Sequence, residues 1–136
     1  MRLSTRRRLA VAALSVAGLA AGCGGGDAAE GDGETTAGAS VEAGATLVAS
    51  VGPGFDISLT TLGGEEIASA APGEYTIQVD DQASSHNFHL TGPGVDEDSG
   101  VAEEGASTWT VTLEPGTYDF LCDPHSSMRG DFEVTS

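Results

Sequence analysis

From residue 45 onward the chain breaks into short apolar or β-branched runs separated by Gly, Pro and Asp. Residues 116–122, Gly-Thr-Tyr-Asp-Phe-Leu-Cys, alternate with a period of two, so Tyr118, Phe120 and Cys122 share one face of a strand. Pro124 stops that strand, because it lacks a ladder N–H and holds Asp123 in an extended or turn conformation. Phe132 and Val134 alternate with Asp131 and Glu133, the pattern of a returning strand. The same reading predicts strands at 46–51, 55–61, 66–70, 75–80, 87–91, 108–113, 117–122 and 130–135. Pro53-Gly54, Gly63-Gly64, Pro72-Gly73, Gly92-Pro93-Gly94 and Pro115-Gly116 supply the turns. About eight short strands and no amphipathic helix predict an all-β fold, a Greek-key β-sandwich or barrel. Ile77, Val79, Trp109, Val111, Leu113 and Phe120 are its inward-facing candidates. Tyr118, just after a Pro-Gly turn, is placed to tie that turn to the barrel.

The first 44 residues follow another pattern. Arg2, Arg6, Arg7 and Arg8 precede an apolar run too short for a stable membrane span, and Ala20-Ala21-Gly22-Cys23 closes it with small residues. Residues 1–22 therefore read as a signal peptide of lipoprotein type, with Cys23 as the site of lipid attachment; Arg6-Arg7 also resembles a twin-arginine signal. Residues 23–44, rich in Gly, Ala and acidic side chains, read as a flexible tether. The folded domain is expected at 45–136.

Removing the leader changes the charge picture. Of five basic residues only Arg129 remains, against 21 carboxylates, a formal net charge of −20. Such a chain has no basic surface for nucleic acid, and anionic lipid would repel it, so membrane association is expected only through an acyl anchor. The acidic surface serves solubility, or the steering of a cationic partner through Asp96-Glu97-Asp98 and Glu103-Glu104. The two cysteines, Cys23 and Cys122, would pair as a disulfide if Cys23 were not acylated; with Cys23 acylated, Cys122 is a lone thiol in an oxidising compartment.

That thiol opens a loop of chemical interest. Cys122, His125 and Met128 lie three residues apart in turn, at the end of a hairpin-like connection where they can converge. His86, at the start of a predicted strand, adds a second imidazole; His89, three residues on, faces the other side of the sheet and reads as structural. Two imidazoles, a thiolate and a thioether are the donor set of a blue-copper site with a weak axial Met. Zinc competes poorly for such a set, since a thioether suits it badly.

These residues resemble those of the cupredoxins, the family of plastocyanin, pseudoazurin and amicyanin. His86-Asn87 matches the family's His-Asn pair, residues 116–125 resemble its Gly-x-Tyr-x-Phe-x-Cys-x-Pro-His segment, and the Cys-x2-His-x2-Met-x-Gly spacing is the short, amicyanin-like loop. The resemblance implies one copper ion held by His86, Cys122, His125 and Met128. It also implies a hydrogen bond from Asn87 to the ligand loop, and His125 as the electron's exit through an apolar patch. Asp123 stands where the family commonly has Ser or Thr. A carboxylate there either lowers the reduction potential or turns to accept local backbone N–H groups. Ser126-Ser127 makes the expected patch more polar.

The function expected is that of an exported one-electron carrier, lipid-anchored or periplasmic, monomeric and not an enzyme, exchanging electrons with redox proteins that have basic docking surfaces. Three histidines are too few for further copper centres. A copper chaperone or scavenger, or an interaction module of the same fold without metal, are the alternatives.

Overall fold

The computed structural model describes residues 37–136. The expected signal peptide, Cys23 and most of the expected tether lie outside those residues. Ten strands follow in order: β1 (Ala39–Val41), β2 (Thr46–Val51), β3 (Ile57–Thr61), β4 (Ile67–Ala70), β5 (Gly73–Asp81), β6 (His89–Gly92), β7 (Val95–Asp98), β8 (Gly105–Leu113), β9 (Gly116–Leu121) and β10 (Arg129–Val134). No helix is present among the described residues.

Two sheets face each other. One has the order β1-β4-β10-β9-β6-β7 and the other β3-β2-β5-β8. Most neighbours are antiparallel, while β2 with β5, β1 with β4, and β4 with β10 run parallel. The core between the sheets comes from the alternation along each strand: Leu47, Ala49 and Val51 of β2, Tyr75, Ile77 and Val79 of β5, Val111 and Leu113 of β8, Tyr118 and Phe120 of β9, and Phe132 and Val134 of β10 are buried. Trp109 is only partly buried, packing on the core's margin against Phe88.

Eight of the ten strands coincide with expected ones, with ends moved by a few residues. Two were not expected. β1 uses residues assigned to the tether, and it forms because the edge of β4 offers backbone partners that no local apolar run advertises. β7 is Val95 followed by three acidic residues, which are poor strand formers, held by a four-residue ladder along β6. The expected strand over 87–91 begins at His89 instead, because Asn87 and Phe88 are engaged by side chains across the turn.

Two tyrosines tie turns to the sandwich. The Tyr118 hydroxyl accepts the Glu114 N–H at 2.9 Å and donates to the Pro93 carbonyl, joining the Pro115-Gly116 and Gly92-Pro93 turns. Tyr75 repeats the device after Pro72-Gly73, donating to the Ala71 carbonyl at 2.7 Å. These anchors hold the ends of β9 and β5 opposite to those that lead toward the histidines and the cysteine.

Candidate metal centre

β9 carries its alternation one step past its end, so Cys122 is buried like Tyr118 and Phe120. The loop after it is built from two successive turns. His125 N–H donates to the Cys122 carbonyl at 3.2 Å, and Met128 N–H to the His125 carbonyl at 2.9 Å. Cys122 N–H then closes the loop on the Met128 carbonyl at 2.9 Å. One candidate donor therefore stands at each corner of a compact loop. Met128 is buried at its far end.

His86 arrives from the other sheet's connection, in the segment between β5 and β6. The carboxylate of Asp81, buried at the end of β5, accepts the Ser99 hydroxyl at 2.7 Å, and Ser99 exchanges hydrogen bonds with the Phe88 backbone at 2.8 and 3.0 Å. This clamp fixes the residues that follow His86. Phe88 then stacks on Phe120, with ring centroids 5.8 Å apart, locking the segment to β9.

His86, Cys122 and His125 converge. The two Nδ1 atoms are 3.0 Å apart, and each lies 3.6 Å from the Cys122 sulfur. Metal–nitrogen bonds of about 2.0 Å and metal–sulfur bonds of about 2.3 Å, set at trigonal angles, need donor separations of roughly 3.5 to 3.7 Å. The two sulfur–nitrogen separations are of that size and the nitrogen–nitrogen one is shorter, so the imidazoles need part only slightly to hold one small ion, and two imidazoles with one sulfur suit copper. His86 and Cys122 are buried, while His125 is partly exposed.

Asn87, fully buried, joins His86's segment to the loop. Its side-chain oxygen accepts the Asp123 N–H at 2.8 Å, and its Nδ2 donates to Asp123 at 2.6 Å and to Asp98 at 2.7 Å. The Asp123 carboxylate is thus bound by side chains, and the expected turn onto local backbone N–H groups does not form. The hydrogen bond from Asn87, then that from His89, holds the Asp123 carboxyl below the usual carboxylate range against the opposing effect of burial.

Two participants escaped the sequence reading. Phe55, expected as the start of a strand, sits in the β2–β3 connection, 71% exposed, with its ring edge-on to His125 at 5.1 Å and to His86 at 5.7 Å between centroids. It supplies apolar surface that Ser126 and Ser127 do not. His89, read as merely structural, bonds Asp123 through Nδ1 at 3.1 Å and Asp96 through Nε2 at 2.8 Å. Burial pulls the His89 imidazole down, but the hydrogen bonds to Asp96 and Asp123 and the charges of Asp123 and Asp98 outweigh it and raise it above 6.5. Nothing local to either residue signals these contacts.

A family match points the same way as the donor set. Residues 63–135 match the copper-binding proteins of the plastocyanin/azurin family. Amicyanin-alpha of Methylorubrum extorquens is 41% identical over 56 residues, which cover 39% of this chain and 47% of that protein, so the match spans about half the relative's length. Among solved structures, one of the copper protein rusticyanin overlaps with a TM-score of 0.46 and 18% identity, covering 71% of this chain and 82% of the other. Another, rusticyanin from Thiobacillus ferrooxidans, gives 0.45 and 20%, with the same coverage.

Proposed function

Because the chain belongs to the plastocyanin/azurin family of copper-binding proteins, we propose that it is a mononuclear blue-copper protein carrying single electrons outside the cytoplasmic membrane. The observation that carries this reading is the convergence of His86 Nδ1, His125 Nδ1 and Cys122 Sγ at 3.0 to 3.6 Å. His86, His125 and Cys122 would hold the copper ion, with the thioether of buried Met128 as its weakest donor. Copper bound there supplies a Cu(I)/Cu(II) couple. With four donors supplied by the protein, the ion would keep no position for a substrate, and the protein would act as a carrier that catalyses nothing by itself.

The chain's own residues do the rest. The two turns and the Cys122 N–H···O=C Met128 bond keep the loop donors in place, and Asn87 fixes the loop to the histidine segment. A frame held in this way limits rearrangement when the oxidation state changes. His125, partly exposed beside Phe55, offers the path for the electron. Exported redox proteins with basic surfaces are the partners we infer, on the strength of the exposed Asp96-Glu97-Asp98 and Glu103-Glu104 segments. Export, with acylation of Cys23 as the membrane anchor, rests on the arginine-rich start, the apolar run and the small residues before Cys23.

The test is an anaerobic titration of the full chain with Cu(II), followed by visible absorption. An intense charge-transfer band saturating at one equivalent, absent in Cys122→Ala and altered in Met128→Leu, is expected. Bound copper should also raise the thermal midpoint of the wild type and not of Cys122→Ala. A colourless product with Cys122 intact would overturn the reading and leave a metal-free interaction module.

A further inference from the structure

His89 opens β6, and because the next residue, Leu90, points into the core, its ring lies on the outer face of the sheet. Carboxylates meet both ring nitrogens: Asp123 at Nδ1, with its two oxygens each 3.1 Å away, and Asp96 at Nε2, 2.8 Å away. A neutral imidazole donates through only one nitrogen, and ionised carboxylates can only accept. Two carboxylates on two nitrogens therefore select the doubly protonated, cationic ring. The neighbouring strands strengthen this choice. Asp98, opposite His89 on β7, is already bonded by Asn87 and by the Gly100 N–H. On β9 the residue opposite is Leu121, and Asp119, two positions along, is paired with Arg129 at 2.9 Å. No second cation contacts Asp123 or Asp96 among the described residues.

We propose that His89 is a positioning residue for the copper centre: bridging Asp123 to Asp96, it holds the Asp123 carboxylate on the outer face and offsets its charge beside the Cys122 thiolate, raising the reduction potential. This rests on the copper reading above. Asp123 is the residue next to Cys122, and its negative charge favours the more oxidised state of whatever metal Cys122 holds, which lowers the potential. The imidazolium supplies the opposing charge, and its two-sided bonding prevents the carboxylate from swinging freely.

Reduction potentials of the copper-loaded full chain test this in a double-mutant cycle. His89→Gln is expected to lower the potential, Asp123→Asn to raise it, and His89→Gln to move it much less in the Asp123→Asn background. A His89→Gln shift of equal size in both backgrounds, or no shift in either, would overturn the proposal. The wild-type potential should also fall as pH rises through the His89 titration, and Asp96→Asn should move that fall to lower pH without disturbing the ligand loop. An Asp96→Asn profile identical to the wild type counts against the bridge. In the metal-free protein, NMR should place the His89 midpoint above the ordinary histidine range and lower it in Asp123→Asn; an ordinary wild-type midpoint overturns the bridge whatever the metal does. Absence of the charge-transfer band overturns the copper reading and with it this role. A normal band with unmoved potentials overturns the role of His89 alone.

Discussion

Asn87 shows how much one buried amide can organise. It has no exposed surface, and its oxygen and nitrogen reach the Asp123 backbone, the Asp123 carboxylate and Asp98. Asn87→Ala strands the Asp123 N–H, and a lost bond of this kind costs about 1–3 kcal/mol. Denaturant unfolding of the metal-free protein should show that loss, and the copper band should broaden as the loop loses its tie to the histidine segment. Asp123 and His89 predict a pH window as well. The His89 imidazole is raised above 6.5, so its contribution to stability is complete below that value and is lost as pH climbs through the folded-state titration. The Asp123 carboxyl is lowered below 3.8, so its contribution is complete above that value and is lost as pH falls through the folded-state titration. The difference in thermal midpoint between wild type and His89→Gln, both metal-free, should therefore be largest between those limits and shrink on either side. The candidate donors Cys122, His125 and Met128 were legible because three-residue spacing in a loop is a local pattern. Phe55 and the His89–Asp123 contact were not, since their partners are more than thirty residues away in sequence, and Asp96, seven residues from His89, lies in a strand whose acidic residues gave no sign of pairing.

Strand by strand, the period-two pattern was enough wherever a strand buries one face. It failed for β1 and β7, whose residues are small or acidic and whose pairing is dictated by the edges of β4 and β6. β7 has a consequence for the site, because it brings Asp96 to His89 and Asp98 to Asn87. The return from the ligand loop into β10 depends on another feature that spacing alone did not explain. Gly130 pairs with Phe120 of β9, and a Cβ at Gly130 would run into the Phe120 ring. That ring is itself stacked on Phe88, two residues after His86. Gly130→Ala must therefore push on the packing that aligns the histidine segment with β9. Overpacking of this kind typically costs about 1–3 kcal/mol. Chemical denaturation of the metal-free variant should show it, and copper affinity should fall with it, because Phe120 lies two residues before Cys122.

At the scale of the whole molecule the sign of the field is what matters most. Arg129 is the one Lys or Arg among the described residues and is engaged by Asp119, while Asp96, Glu97, Asp98, Glu103 and Glu104 are exposed. This acidic surface lies on the β7 side of the sandwich, where the His89 bridge links it to the ligand loop. A partner drawn to the partly exposed His125 edge, as proposed, would therefore approach through a negative potential. At 0.1 M salt such potentials decay over about 10 Å, so their effect on encounter is large at low ionic strength and faint at high. Small inorganic oxidants isolate the effect, since they carry charge but no docking surface of their own. The rate at which a tripositive cobalt phenanthroline complex oxidises the reduced protein should fall as salt is added, and the rate with anionic ferricyanide should rise. Neutralising Asp96, Glu97 and Asp98 together, as Asn, Gln and Asn, should flatten both dependences while leaving the wavelength of the copper band in place. Equal salt dependence for the two oxidants would show that the carboxylates serve solubility alone and do not steer the electron's partner.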